Sequence, residues 1–93
     1  MFKSRRNTIS SDEGFTVTVL SGRGGVRYTE GDRSVEINSE FSGGLRRVIL
    51  YTASIVEWES SIGRVAVNEE ERDRIIENVC RAFKFDGYAS EVL

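Results

Sequence analysis

The chain has 93 residues, of which 39% are hydrophobic and 30% are charged, and it contains no histidine, no proline and one cysteine. This length fits one small domain with a modest core. Without histidine there is no Ser-His-Asp or Cys-His nucleophile pair, and one cysteine forms neither an intramolecular disulfide nor a thiolate zinc cluster. Composition therefore favours a binding domain over an enzyme, and we predict no catalytic residue, no metal site and no cofactor.

Acidic and basic side chains are distributed unevenly along the chain. The formal net charge is −2, with +2 in residues 1–56 and −4 in residues 57–93. A total this balanced predicts neither nucleic-acid binding nor association with a membrane surface. Two parts of opposite charge suit a protein partner, although solvated helix faces produce the same distribution.

The first residues are polar and carry both signs of charge. Residues 1–6 are basic, but no apolar stretch follows them, so we predict no signal peptide and no membrane span. Together with the single cysteine, this pattern predicts a cytoplasmic protein. We expect a flexible polar tail at residues 1–13 and a single α+β domain at residues 14–93.

Alternating apolar and polar residues predict an antiparallel meander. In the first strand, Phe15, Val17 and Val19 alternate with threonines. Glycine-rich residues 22–25 and a tight turn at 31–33 make the connections, which are too short for helical crossovers. The predicted strands are residues 15–19, 26–30, 34–38 and a central, largely apolar strand at 46–51, with 55–59 either extending that strand or forming a short fifth.

The helix has the clearest local signals in the chain. Asn68 fits the N-cap position, and Glu71 three residues later completes a capping box. Apolar residues then recur at helical spacing from Ile75 to Phe83, and Asp86-Gly87 ends the helix. The predicted fold class is α+β: an antiparallel meander of four to five strands, one amphipathic helix packed on one face, and residues 88–93 as a candidate C-terminal edge strand.

Two motifs invite a chemical interpretation and have simpler structural ones. The glycine-rich stretch at residues 22–25 precedes a strand, so no helix N-terminus is available to bind phosphate there. Glu57 and Glu59 share one face of a strand, but so small a domain has little room for a sugar-binding cleft. Trp58 points to the opposite face, where it is either part of the core, which we favour, or an exposed interface anchor.

Taken together, several segments resemble a known family of proteins. They are residues 15–19, 26–33, 37–40, 49–59, 69–78 and 85–87. Over residues 15–93 the chain resembles the small α+β immunity proteins of bacterial polymorphic toxin systems. This resemblance implies a cytoplasmic, non-enzymatic inhibitor that binds and blocks a cognate toxin domain encoded nearby.

Immunity families share folds while their toxin-facing surfaces diversify, so the partner contacts are predicted from residue type. Acidic, aromatic and arginine side chains are the candidates: Glu40, Arg46, Arg47, Glu57, Trp58 and Glu59. The alternative is a homo-oligomeric structural or regulatory module, in which residues 88–92 form an exposed sheet edge that pairs with a second copy.

Overall fold

The structure is a computed structural model that describes residues 1–20 and 25–93. The connection predicted at residues 22–25 therefore lies largely outside the described residues. These described residues form ten strands and one α-helix. The strands are β1 (Phe2–Arg5), β2 (Thr8–Ser11), β3 (Phe15–Val19), β4 (Val26–Glu30), β5 (Arg33–Ile37), β6 (Ser39–Ser42), β7 (Arg47–Leu50), β8 (Glu57–Ser60), β9 (Gly63–Ala66) and β10 (Ala89–Val92), and the helix α1 is Glu69–Phe85.

A seven-stranded antiparallel sheet makes up most of the fold, in the order β1-β2-β3-β4-β5-β8-β9. The alternation of apolar and polar residues explains why these segments form strands with one buried face. Alternate residues such as Val17, Tyr28 and Val35 are buried, while their neighbours face away from the core. Gly31, at φ 65°, makes the tight turn between β4 and β5. The strands predicted at residues 15–19, 26–30 and 34–38 are confirmed, the last of them one residue earlier.

The prediction of a flexible tail at residues 1–13 is wrong. This segment is a hairpin in which β1 pairs with β2 and β2 pairs with β3. Ile9 is buried on the inner face, and the Phe2 ring lies 5.9 Å from Phe15 and 5.6 Å from Phe85. Two well-placed apolar side chains are enough to hold the hairpin on the sheet, although the segment is polar in composition.

A separate three-stranded sheet has the order β10-β7-β6. As predicted, β7 is the central strand, and the chain after the helix returns as the edge strand β10. This sheet differs from the predicted antiparallel meander in two ways. It contains a strand that was not predicted, β6, and its strand β10 runs parallel to β7. The parallel pairing is possible because α1 lies between the two strands in sequence and carries the chain back.

The helix begins and ends where the sequence predicted. Asn68 accepts a hydrogen bond from the backbone N–H of Glu71 at 2.7 Å, and the Glu71 carboxylate accepts one from the backbone N–H of Asn68 at 3.0 Å. Gly87, at φ 85°, follows the C-cap Asp86. The α+β class is therefore confirmed, with more strands than the four or five predicted.

The core lies between α1 and the inner faces of both sheets. Phe83 shows this arrangement, since its ring packs edge-on against Phe41 of β6 at 5.7 Å and near Tyr88 at 5.9 Å. The seven-stranded sheet supplies most of the remaining apolar surface. The buried core comprises Ile9, Phe15, Val17, Val26, Tyr28, Val35, Ile37, Val48, Leu50, Ile55, Trp58, Val67, Ile75, Val79, Ala82 and Phe83.

Candidate partner-binding surface

The structure divides the six predicted partner residues among four environments. Trp58 lies in the core, and Arg46 braces the end of the helix. Two residues lie on the outer face of the three-stranded sheet, Glu40 and Arg47, and two lie on the outer face of the seven-stranded sheet, Glu57 and Glu59. The six residues therefore do not form one continuous site.

Trp58 is a core residue, as the favoured interpretation of the sequence had it. Its side chain is 1% exposed, and its ring lies 6.2 Å from that of Tyr28. The Arg33 guanidinium covers the indole at 4.1 Å, which closes the core on that side. A side chain enclosed in this way is not available as an interface anchor.

Arg46 has a structural task that the sequence did not reveal. It adopts φ 51°, a left-handed conformation that is uncommon for a residue other than glycine. From there its guanidinium donates to the carbonyl oxygens of Asp86 at 2.6 Å and Gly87 at 3.2 Å, and it lies 4.7 Å from the centre of the Tyr88 ring. Arg46 therefore ties the start of β7 to the C-terminal end of α1, where a cation is favourable.

Glu40 and Arg47 both line a groove on the outer face of the three-stranded sheet, together with Leu45 and Ile49. Arg47 is 3.7 Å from Glu91 on the neighbouring strand, and both side chains are about half exposed. The Glu40 carboxylate raises the pKa of the Tyr51 hydroxyl above its ordinary value. Charges of both signs therefore lie close together in this groove.

Glu57 and Glu59 share the outer face of β8, as the strand pattern predicted. Arg64 on β9 lies between them, 4.0 Å from each carboxylate. All three side chains are at least half exposed, so these ion pairs are long, solvated and weak. Because these ion pairs are weak, replacing them with ion pairs to another molecule would cost little free energy.

Sequence reasoning missed an exposed apolar surface in the same hairpin. Ile62, in the turn between β8 and β9, is 88% exposed, and Val65 on β9 is 54% exposed. Val56, just before β8, is 57% exposed. The alternation around Val65 is the available signal, but a run of four residues just before the helix does not distinguish a sheet edge from an extended connection.

A partly buried polar network connects the seven-stranded sheet to α1. Glu30 accepts hydrogen bonds from Arg74 at 2.7 and 3.1 Å and from the Tyr28 hydroxyl at 2.7 Å. Asn78 donates to the same hydroxyl at 2.9 Å, and Arg33 bridges Glu30 and Glu71 at 3.3 Å each. Burial, together with the hydrogen bond to Glu30, raises the pKa of Tyr28 to about 12. These polar groups are occupied in holding the fold together.

Within residues 1–20 and 25–93, no group of three acidic or cysteine side chains is placed to hold a metal ion. Over the same residues, no helix has the length and apolar character that crossing a bilayer requires.

The described residues form an α+β fold of ten strands and one capped helix, and exposed charged side chains lie on the outer faces of both sheets. A comparison with models of known protein families identifies the family of this chain. The model described as Immunity protein 74 matches residues 16–92, more than four fifths of the chain, so this protein belongs to the immunity protein 74 family. The resemblance inferred from the sequence to small α+β immunity proteins is confirmed. Comparisons with curated proteins and with solved structures gave no match.

Proposed function

We propose that this protein is a bacterial, cytoplasmic immunity protein that binds a cognate toxin domain and blocks it without catalysis. The observation that carries the proposal is the family match over residues 16–92, because immunity families act on toxin partners. Arg46 is exposed but bonded to the end of α1, and the other exposed members of the predicted partner set, Glu40, Arg47, Glu57 and Glu59, support the proposal as available contact residues. Inhibition then follows from covering the toxin's active site, with complementary charge speeding the encounter.

The direct test is protection of cells that express the toxin. The toxin domain encoded by the neighbouring gene is expressed with and without this protein, and growth and co-purification are measured. We expect growth to be restored and the two chains to elute together. A neighbouring gene without a toxin-like domain, or a toxin that neither co-purifies nor loses toxicity, contradicts the proposal.

A second candidate function is a homo-oligomeric structural or regulatory module. It is favoured by the position of β10 at the edge of the three-stranded sheet, where the backbone of Ser90 and Val92 points away from β7. Two copies joined along β10 would form a continuous sheet. Sedimentation velocity at increasing concentration separates the candidates, since a stable dimer without the toxin supports the module and a monomer supports the immunity role.

A further inference from the structure

The hairpin formed by β8 and β9 concentrates exposed apolar surface at one end of the seven-stranded sheet. Val56, Ile62 and Val65 are three of the eight large hydrophobic side chains that are exposed in the described part of the chain. All four residues of β9 are exposed, whereas Trp58, opposite Val65 on β8, is buried. Exposed apolar side chains on an edge strand and in its turn, here Val65 and Ile62, are typical of an interaction surface.

The backbone of β9 is open along one side. The N–H of Val67 donates to the carbonyl of Val56 at 2.8 Å, which makes this a directly hydrogen-bonded pair. Such pairs recur at every second residue, so Val65 and Gly63 also bond to β8. The N–H and C=O groups of Arg64 and Ala66 therefore point away from β8, and β9 is the last strand of the described sheet. A strand from another molecule can pair with them.

The surroundings of this edge are acidic. Residues 56–73 contain six acidic and two basic side chains, a net charge of −4 in a chain whose total is −2. Glu57 and Glu59 on the outer face of β8 and Glu69 and Glu70 at the start of α1 are all exposed. A partner that docks here must carry cationic side chains to balance them.

Charge also argues against a second copy of this chain as the occupant. Pairing of β9 with β9 across a two-fold axis would bring two regions of net charge −4 together. That net charge already includes Arg64 and Arg72, and like charges facing each other across an interface are unfavourable. The apolar edge and its acidic surroundings fit a foreign, basic strand.

We propose that β9 is the toxin-docking edge, where a cationic segment of the toxin adds as a strand beside Arg64 and Ala66 and covers Ile62 and Val65. This inference rests on the proposed immunity function and specifies its surface and the chemistry of the partner. Backbone hydrogen bonds supply a common frame for the added strand, while Glu57 and Glu59 select for Lys and Arg side chains.

The first test compares charge changes beside β9 with charge changes elsewhere on the surface. Glu57→Gln/Glu59→Gln removes the acids beside β9, and Glu77→Gln/Glu91→Gln is the matched control at two exposed acids of α1 and β10 that are outside the predicted partner set. Affinity for the toxin domain of the neighbouring gene is measured by calorimetry at low and at high salt. We expect the first pair to weaken binding by about tenfold or more at low salt, and the control by less than about twofold.

The apolar part of the surface has its own matched pair of variants. Ile62→Ser removes an exposed side chain at the proposed edge, and Leu45→Ser removes one at the groove of the three-stranded sheet. Both side chains are exposed, so the fold is retained, and a thermal melt of each variant verifies this. We expect Ile62→Ser to weaken toxin binding by about fivefold or more and Leu45→Ser to leave it unchanged.

Amide hydrogen exchange measures directly whether a strand is added to β9, because new backbone hydrogen bonds slow the exchange. The N–H groups of Arg64 and Ala66 should exchange quickly in the free protein and at least about tenfold more slowly in the complex. The amides of Phe2 and Ser4, which point outward from β1 at the opposite edge of the same sheet, are the internal control and should not change.

The outcomes separate this inference from the proposed function. Tight toxin binding with unchanged exchange at β9, and with full affinity in the Glu57/Glu59 and Ile62 variants, overturns the docking edge and keeps the immunity role. Slow exchange at Arg64 and Ala66 in the protein alone, rising with concentration, identifies a second copy as the occupant and overturns the inference. Wild-type protein that does not bind the toxin at all overturns both proposals.

Discussion

Glu30 is the side chain through which the sheet and the helix are most directly joined. Its partial burial raises its pKa, but the hydrogen bonds from Arg74, Tyr28 and Arg33 outweigh that effect. The pKa of Glu30 therefore lies below its ordinary value of 4.5. An acid with a depressed pKa stabilises the fold fully above that ordinary value, and the stabilisation is lost as the pH falls through the lower, folded-state pKa.

Replacing this carboxylate should reduce stability in a pH-dependent way. We expect Glu30→Gln to lower the free energy of unfolding at pH 7 by about 1–3 kcal/mol, because Arg74 loses a charged partner beside the core. Urea unfolding from pH 7 to pH 3 measures this, and the difference from wild type should shrink below pH 4.5. Glu36→Gln is the control, since Glu36 pairs with Arg27 at the exposed outer face. An equal loss in both variants would contradict the role assigned to Glu30.

Trp58 provides the second residue-scale prediction. Trp58→Phe leaves a small cavity and removes the contact with Arg33, so we expect a loss of roughly 1–2 kcal/mol in unfolding free energy. Because the side chain is buried, affinity for the toxin should change by less than about twofold at a temperature where the variant is folded. A large loss of affinity in a variant of normal stability would show instead that Trp58 reaches the partner.

At the scale of elements, the turn into β7 combines a strained residue with a helix cap. Arg46 has a strained, left-handed backbone conformation. Two hydrogen bonds to the end of α1 and a contact with Tyr88 offset this strain. A side chain without these contacts keeps the strain, whereas glycine has none. Substitutions at position 46 therefore separate the free-energy cost of the left-handed backbone from the stabilisation by the Arg46 hydrogen bonds.

Two substitutions at position 46 should rank in a defined order. We expect wild type to be the most stable, Arg46→Gly to be intermediate and Arg46→Ala to be the least stable, with Ala about 1 kcal/mol below Gly. Thermal unfolding followed by circular dichroism measures the order. If Ala is as stable as Gly, the backbone at this turn is not left-handed in solution.

The elements differ in how well the sequence predicted them. The helix was predicted from end to end because its cap, its apolar face and its terminating Asp86-Gly87 are all local signals. The β1–β2 hairpin was missed because only Phe2 and Ile9 mark its inner face. The parallel pairing of β10 with β7 joins residues about forty positions apart, and no local pattern records such a contact.

The candidate surface follows the same division between local and distant signals. Strand alternation correctly placed Glu57 and Glu59 on one face and Trp58 on the other. The sequence did not show that Arg46 caps a helix that begins more than twenty residues later, or that β9 ends a sheet. Both facts depend on which elements become neighbours in the folded chain.

At the scale of the whole molecule, the structure shows where the unevenly distributed charges of the sequence lie. The acidic excess lies around the β8–β9 hairpin and the start of α1, and the basic residues Lys3 and Arg5 lie on the outer face of β1, at the other edge of the same sheet. Such an arrangement orients an approaching charged partner before contact. It also makes association faster at low ionic strength than at high ionic strength.

The central claim is that this protein acts by binding a cognate toxin. Calorimetric titration of the purified wild-type chain with the toxin domain of the neighbouring gene tests it most directly. We predict one-to-one binding that is tight and weakens as salt is raised, together with loss of the toxin's activity at one equivalent. A titration without binding heat, with toxin activity unchanged at a large excess of this protein, would contradict the claim.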